Sequence, residues 1–129
     1  NLVTKKTFDL MCELQSQEHM VSLEQPATSI MFKEKCTLRW ASRAAAVPTI
    51  VDYCRFGMPY RKRTALWGPP GLLQVLGRSC PGLSHGHQHE RSLSGWGDKN
   101  KALATKHCAA YPKELCEEWV RAVAAFQEA

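Results

Sequence analysis

Long apolar runs are missing from this chain. Nowhere do roughly 18 apolar residues follow one another, as a membrane-spanning helix requires, and no charged, apolar and small-residue succession opens the sequence in the manner of a secretory signal. Internal repeats are missing as well, so nothing points to a stacked-repeat architecture. Acidic residues are outnumbered: 12 Asp and Glu stand against 17 Lys and Arg, for a formal charge of +5. The chain opens on Asn1 rather than Met, which reads as a trimmed or processed product.

At 129 residues the chain suits one domain, whose folding buries roughly two thirds of the unfolded surface. Apolar residues at 44% and charged residues at 22% are ordinary for a packed protein and argue against a disordered, collagen-like or low-complexity class. The positive balance favours an acidic partner such as nucleic acid, an anionic surface or an acidic protein. Arg55, Arg61, Lys62, Arg63 and Arg78 fall close together, while Glu114, Glu117, Glu118 and Glu128 make the C-terminal stretch acidic. A solvated basic loop is the plain alternative to a binding patch.

Six cysteines (Cys12, Cys36, Cys54, Cys80, Cys108 and Cys116) are widely spaced and lie mostly within apolar periodic segments. Reduced, partly buried thiols therefore fit better than a disulfide framework, and an intracellular reducing compartment (nucleus, cytoplasm or organelle) is expected. No cysteine stands in a recognisable nucleophile context, so a Cys–His hydrolase finds no support.

Periodicity organises the rest. Phe8, Met11 and Leu14, with Leu10, predict a helix over Thr4 to Glu18. Met20 to Leu23 predicts a short strand delivering Glu24 to its carboxyl end, with Pro26 stopping it. A helix capped by Thr28 or Ser29 is expected through Lys35, and a second over Thr37 to Ala46, ended before Pro48. Thr49 to Cys54 and Thr64 to Trp67 read as strands separated by a Gly- and Pro-containing loop. Gly68-Pro69-Pro70-Gly71 ends the second. Ala102 to Ala110 is expected as a short helix, and Pro112 opens a final helix with Leu115, Trp119, Val123 and Phe126 on one face. The division is a single domain over 1–129, with an α/β core at 1–76, a Gly/His-rich loop at 77–98 and a C-terminal helical segment at 99–129.

That loop carries the first chemical constellation, Cys80-Pro81-Gly82-Leu83-Ser84-His85-Gly86-His87-Gln88-His89-Glu90. Thiolate and imidazole suit zinc, which takes four tetrahedral ligands, and Cys80, His85, His87 and His89 offer four donors from one segment. Alternate histidines on an extended segment point to opposite sides, so two aim together unless the chain turns at Gly86. His107 or Cys108 can complete a site only if the fold brings them near. A polar surface loop is the competing account.

The second constellation is Glu24-Gln25-Pro26, followed later by Tyr53-Cys54-Arg55-Phe56-Gly57-Met58-Pro59-Tyr60-Arg61-Lys62-Arg63-Thr64-Ala65-Leu66-Trp67-Gly68. In this order, each flanked by strand signals, they resemble the cytosine-C5 methyltransferase family, where a strand ends in Glu-Asn-Val and a later strand pair carries Tyr-Gly-Val-Pro-Gln and spaced arginines. They are most similar to the divergent methyltransferase-like domains of algal, protist and mobile-element proteins, with their Glu-Gln-Pro and Pro-Tyr-Arg-Lys-x-Thr variants. The likeness runs from about Phe8 to about Val123, since Ala109-Ala110-Tyr111-Pro112-Lys113-Glu114-Leu115-Cys116 is similar to that family's closing helix.

The resemblance implies an α/β fold with a partial Rossmann-like methyltransferase sheet of three to four short strands, flanking helices and a long C-terminal helix. It implies that Glu24 contacts the target base and that an arginine of the later loop orients it, work suited to a planar donor fork. Tyr60, Arg61, Lys62 and Arg63 stand there as nucleic-acid-binding candidates, although Tyr60 replaces the family's Gln, and Lys62 and Thr64 occupy the usual arginine positions. The family's Gly-rich S-adenosylmethionine turn and Pro-Cys nucleophile belong to an N-terminal half, and neither occurs in these 129 residues; Cys80-Pro81 has the reverse order. No cofactor is therefore expected in this chain apart from zinc, with S-adenosylmethionine only if an N-terminal half supplies its site. The expected function is a non-catalytic methyltransferase-like fragment, an accessory or structural subunit of a larger assembly. The alternative is the DNA- or RNA-binding module of an enzyme whose cofactor half lies elsewhere.

Overall fold

The computed structural model describes residues 1–89 and 110–129. The expected helix Ala102 to Ala110, much of the Gly/His-rich loop, His107 and Cys108 lie outside the described residues, apart from Ala110 at the edge.

Helix α1 spans Leu2–Ser16 and is capped by Asn1, whose Oδ1 accepts the Val3 amide at 3.0 Å. It buries Phe8 and Met11, while Leu10 points outward at 59% exposure. Strand β1 is Leu23–Pro26, so Glu24 and Pro26 lie within the strand rather than beyond it. Proline is tolerated there because β1 is an edge strand, where a missing N–H costs the sheet nothing on the open side. The helix expected from Thr28 to Lys35 is only a 3₁₀ turn, Ile30–Lys33, capped by Ser29 and broken at the extended Glu34. Helix α2 then runs Lys35–Ala44 and ends on Ala45 in the left-handed region, φ 50°.

Strand β2 (Val47–Asp52) leads into a 3₁₀ turn, Tyr53–Phe56, closed by Gly57 at φ 82°. Strand β3 (Arg63–Gly68) lies between the other two in the order β1-β3-β2, and both pairings are antiparallel. A doubly wound sheet is mostly parallel; among the described residues the one parallel element is an isolated bridge, Val51 to Arg78. The last helix, α3, is Lys113–Glu128, with Pro112 at its N-cap.

Side-chain alternation along β3 divides the interior in two. Leu66 faces a core built with Val51, Tyr53, Phe56, Tyr60, Leu72, Leu73, Leu76 and Leu115, against which Trp119, Val123 and Phe126 of α3 pack as their spacing predicts. The other face, with Leu23 and Trp67, packs on Phe8, Met11, Trp40 and Ala41 of α1 and α2. Ring pairs Phe8–Trp40 (5.9 Å between centroids) and Phe32–Trp67 (5.5 Å) fill that side. The architecture is thus a small mixed α/β fold, with a three-stranded sheet covered on both faces. No helix among the described residues is long and apolar enough to cross a membrane.

Candidate metal centre

The end of β2 positions the first of the candidate ligands. The strand is β-branched and buried on its α3 side, and the 3₁₀ turn that follows carries Cys54. A second segment is tied alongside: the Asp52 amide donates to the Arg78 carbonyl at 2.8 Å, and the Cys80 amide donates to Asp52 Oδ2 at 2.7 Å. Arg78 sits over the Phe56 ring at 4.8 Å and pairs with Glu118 of α3 at 2.7 Å, which clamps this segment between sheet and helix. Two backbone amides and one carboxylate therefore hold Cys80 beside Cys54.

Beyond Cys80 the chain turns twice on glycine, Gly82 at φ 82° and Gly86 at φ 73°, conformations that side chains with a Cβ rarely adopt. The second turn brings back His87 and His89. His89 Nε2 lies 3.4 Å from Cys80 Sγ, and the two imidazoles meet edge to face with centroids 4.9 Å apart. One donor atom from each of Cys54, Cys80, His87 and His89 falls within 4.8 Å of all the others, so the four can hold a metal ion. His87 Nε2 is buried with no hydrogen-bond partner among the described residues. Burial, followed by the adjoining Cys80 thiol and the Asp52 charge, pushes the Cys54 thiol up to about 11.

Asp52 is the electrostatic hinge of this region. Its carboxylate is fully buried and accepts from Arg63 Nε at 3.1 Å and Nη2 at 2.9 Å, from Arg61 Nε at 3.4 Å, and from the Cys80 amide. Burial works to raise its pKa, but the hydrogen bonds from Arg63 and Cys80 and the charges of both arginines outweigh it. The carboxyl ends below its ordinary value.

The sequence-predicted residues separate accordingly. Cys80, His87 and His89 come together, whereas His85 does not join them: its Nδ1 lies 2.9 Å from the Pro81 carbonyl and 3.1 Å from Ser84 Oγ, and Cys54 supplies the fourth donor. Tyr60 is a core residue at 4% exposure rather than a surface contact. The Arg61 and Arg63 side chains remain 43% and 44% exposed while paired with Asp52. Lys62 lies over the Tyr53 ring at 5.1 Å. Glu24 pairs across the sheet with Leu66 and Arg63 with Asp52, so Glu24 and Arg63 project from opposite faces. Glu24 accepts instead from the Tyr111 hydroxyl at 2.9 Å, and burial together with that carboxylate raises the Tyr111 pKa.

Comparison with protein-family models, with curated proteins and with solved structures finds no match for the chain. Two positions of the candidate centre escape a reading of the sequence alone. Cys54 ends a β-branched run and looks like core, and only the pairing of residues 78–80 with β2 reveals it as a partner of Cys80. Asp52 offers a signal in retrospect: a carboxylate closing an apolar strand must be paired if buried, and the next cations are Arg61 and Arg63.

Proposed function

We propose that this chain is a non-catalytic α/β module of a larger assembly, with the end of its sheet fastened by a zinc ion on Cys54, Cys80, His87 and His89. The observation that carries the reading is the convergence of four soft and borderline donors, one of whose residues, His87, also has its Nε2 buried without a hydrogen-bond partner among the described residues. Zinc holds sulfur at about 2.3 Å and imidazole nitrogen at about 2.0–2.1 Å, so tetrahedral donors stand roughly 3.3–3.8 Å apart. The 3.4 Å between Cys80 and His89 falls in that range. Four protein ligands leave no open position for a reacting water, which favours a structural site over a hydrolytic one. A bound cation also reverses the electrostatics of the thiol pair, because a coordinating thiol gives up its proton.

The methyltransferase-like ancestry is supported by Glu24-Gln25-Pro26 and the Tyr53–Gly68 segment lying on neighbouring strands. In this reading the three strands represent the antiparallel margin that a doubly wound sheet can carry. Against a catalytic role stand Glu24 and Arg63 on opposite faces. S-adenosylmethionine does not fit the described residues: β1 and β2 run into 3₁₀ turns and β3 into Gly68-Pro69-Pro70-Gly71, so no strand enters an α-helix through a glycine-rich turn. A second reading, contact with DNA or RNA phosphates, rests on the partly exposed side chains of Arg61 and Arg63.

The test is metal titration of the reduced protein. Stoichiometric zinc binding is expected, with cobalt giving intense tetrahedral absorption and thiolate charge-transfer bands. Cys54→Ser or His87→Ala weakens binding by about 10-fold or more, by analogy with the scale of ligand-shell losses, and His85→Ala leaves it unchanged. Absence of stoichiometric binding, or equal damage from the His85 and His87 variants, would overturn the assignment.

A further inference from the structure

We propose that the Cys54–Cys80 pair makes this centre a redox-released latch: oxidation by a peroxide joins the two sulfurs, expels the metal and frees the His87–His89 segment from the sheet. The inference rests on the metal reading above and adds its regulation.

The two halves of the donor set are held in different ways. Cys54 belongs to the turn that continues β2, fixed by the Tyr53 amide on the Lys62 carbonyl at 3.2 Å and the Met58 amide on the Tyr53 carbonyl at 3.3 Å. Cys80 is fixed to the same strand through Asp52 and Arg78, as described above. The sulfurs therefore stay neighbours whether or not a metal joins them. Among the described residues the histidines have no such backbone hydrogen bonds to the sheet. His85 closes a local turn on Gly82 and Pro81, and among the described residues the hydrogen bond and ring contact of His87 and His89 run to Cys80 and to each other, with Cys54 joining them in the donor cluster. Losing the metal thus costs the histidine segment its attachment and leaves the cysteines in place.

The chemistry balances with peroxide as the named oxidant. One zinc-bound thiolate attacks a peroxide oxygen, the O–O bond breaks, and with one proton taken up the products are a sulfenic acid and water. The second thiolate attacks the sulfenic sulfur, forming the S–S bond and expelling hydroxide, which a second proton converts to water. The sulfur pair loses two electrons and the peroxide gains them. The disulfide is a poor ligand, two imidazoles are half a site, and zinc leaves as the dication. Both cysteines are only partly buried, which leaves the oxidant a path to the pair. Cys12 and Cys36 pack against the other core and Cys116 is exposed on α3, so the pair is set apart from the remaining described thiols.

The experiment uses the full chain loaded with zinc under reducing conditions, freed of excess metal and reductant, and titrated with hydrogen peroxide. Released zinc is followed with a chromogenic chelator and cysteine linkage by peptide mass mapping. The expected result is stoichiometric zinc release in step with loss of two hydrogens from the peptides carrying Cys54 and Cys80, reversed by thiol reductant and zinc. A variant with Cys12, Cys36, Cys108 and Cys116 all changed to Ser gives the same result if the latch is right. Zinc retained under peroxide, or released with a link through another cysteine or with only sulfinic acid formed, overturns the latch while leaving the metal site intact. A reduced protein that holds no zinc overturns both.

Discussion

Asp52→Asn is the substitution from which most can be learned, because it removes one charge and keeps the shape. The wild-type carboxylate is fully buried, accepts three charge-assisted bonds from two arginines and takes the Cys80 amide on Oδ2. Hydrogen bonds to charged groups contribute about 1.5–3 kcal/mol each, and breaking a buried pair costs about 3–5 kcal/mol. Those values need discounting here, since Arg61 and Arg63 are nearly half exposed and water takes up part of their loss. A destabilisation of about 2–3 kcal/mol at neutral pH follows from that scale. Measured by urea unfolding with chelator present, so that metal ligands contribute nothing, the gap should then depend on acid in a defined sense. The folded pKa of Asp52 is depressed, so its contribution is fully present above the unfolded value near 3.9 and disappears as pH falls through the folded value. The gap between wild type and variant should therefore begin to narrow as the pH falls below about 4 and close only below the folded value. A gap under about 0.5 kcal/mol at pH 7, or one that persists undiminished at the lowest pH where the protein folds, would refute the account of this carboxylate.

Other outcomes follow from the same geometry. Trp40→Ala empties the centre of the α1/α2 side, where the ring is fully buried beside Phe8, and should cost about 3–5 kcal/mol in denaturant unfolding. Gly57→Ala meets both a φ of 82° and the Glu114 carboxylate 3.0 Å from the new Cβ, so a loss of about 1–2 kcal/mol is expected, whereas Gly71→Ala, with the same kind of φ but open space, should lose about 1 kcal/mol. If Arg61 and Arg63 contact nucleic-acid phosphates, changing both to Met should flatten the logarithmic salt dependence of DNA or RNA binding by about 2. An unchanged slope removes that reading.

The legible part of this fold was the part governed by one period. Leu115, Trp119, Val123 and Phe126 lie at helical spacing, and α3 packs them as one stripe. Strand identity was legible too, from Ile50, Val51 and the Thr64–Trp67 run, but strand limits were not: Pro26 and Pro48, which read as stops, are accommodated because both lie on edge strands. The candidate donor cluster was half visible. A loop of histidines announces itself, yet which of them converge depends on the left-handed turn at Gly86, and the fourth donor depends on residues 78–80 returning beside β2. No local pattern encodes such a long-range pairing.

Alternation also explains why the carboxylate of Glu24 and the arginines cannot share a site. For them to meet, the β1–β3 pairing would have to slip by one residue, sending either Leu66 out of the α3-side core or Leu23 out of the α1/α2-side core. Leu66 alone is fully buried, and exposing such a side chain costs about 1.5–3 kcal/mol before its neighbours are counted. The burial that makes β3 the central strand therefore assigns Arg63 to Asp52 and leaves Glu24 facing α3. There the Tyr111 hydroxyl, one residue before Pro112, turns Glu24 into a strut between an edge strand and the entry to the last helix. As a partly exposed strut it carries a small load: Glu24→Gln retains an acceptor for Tyr111 and should shift stability by about 1 kcal/mol or less, where a buried catalytic carboxylate packed against arginines would not tolerate the exchange so cheaply.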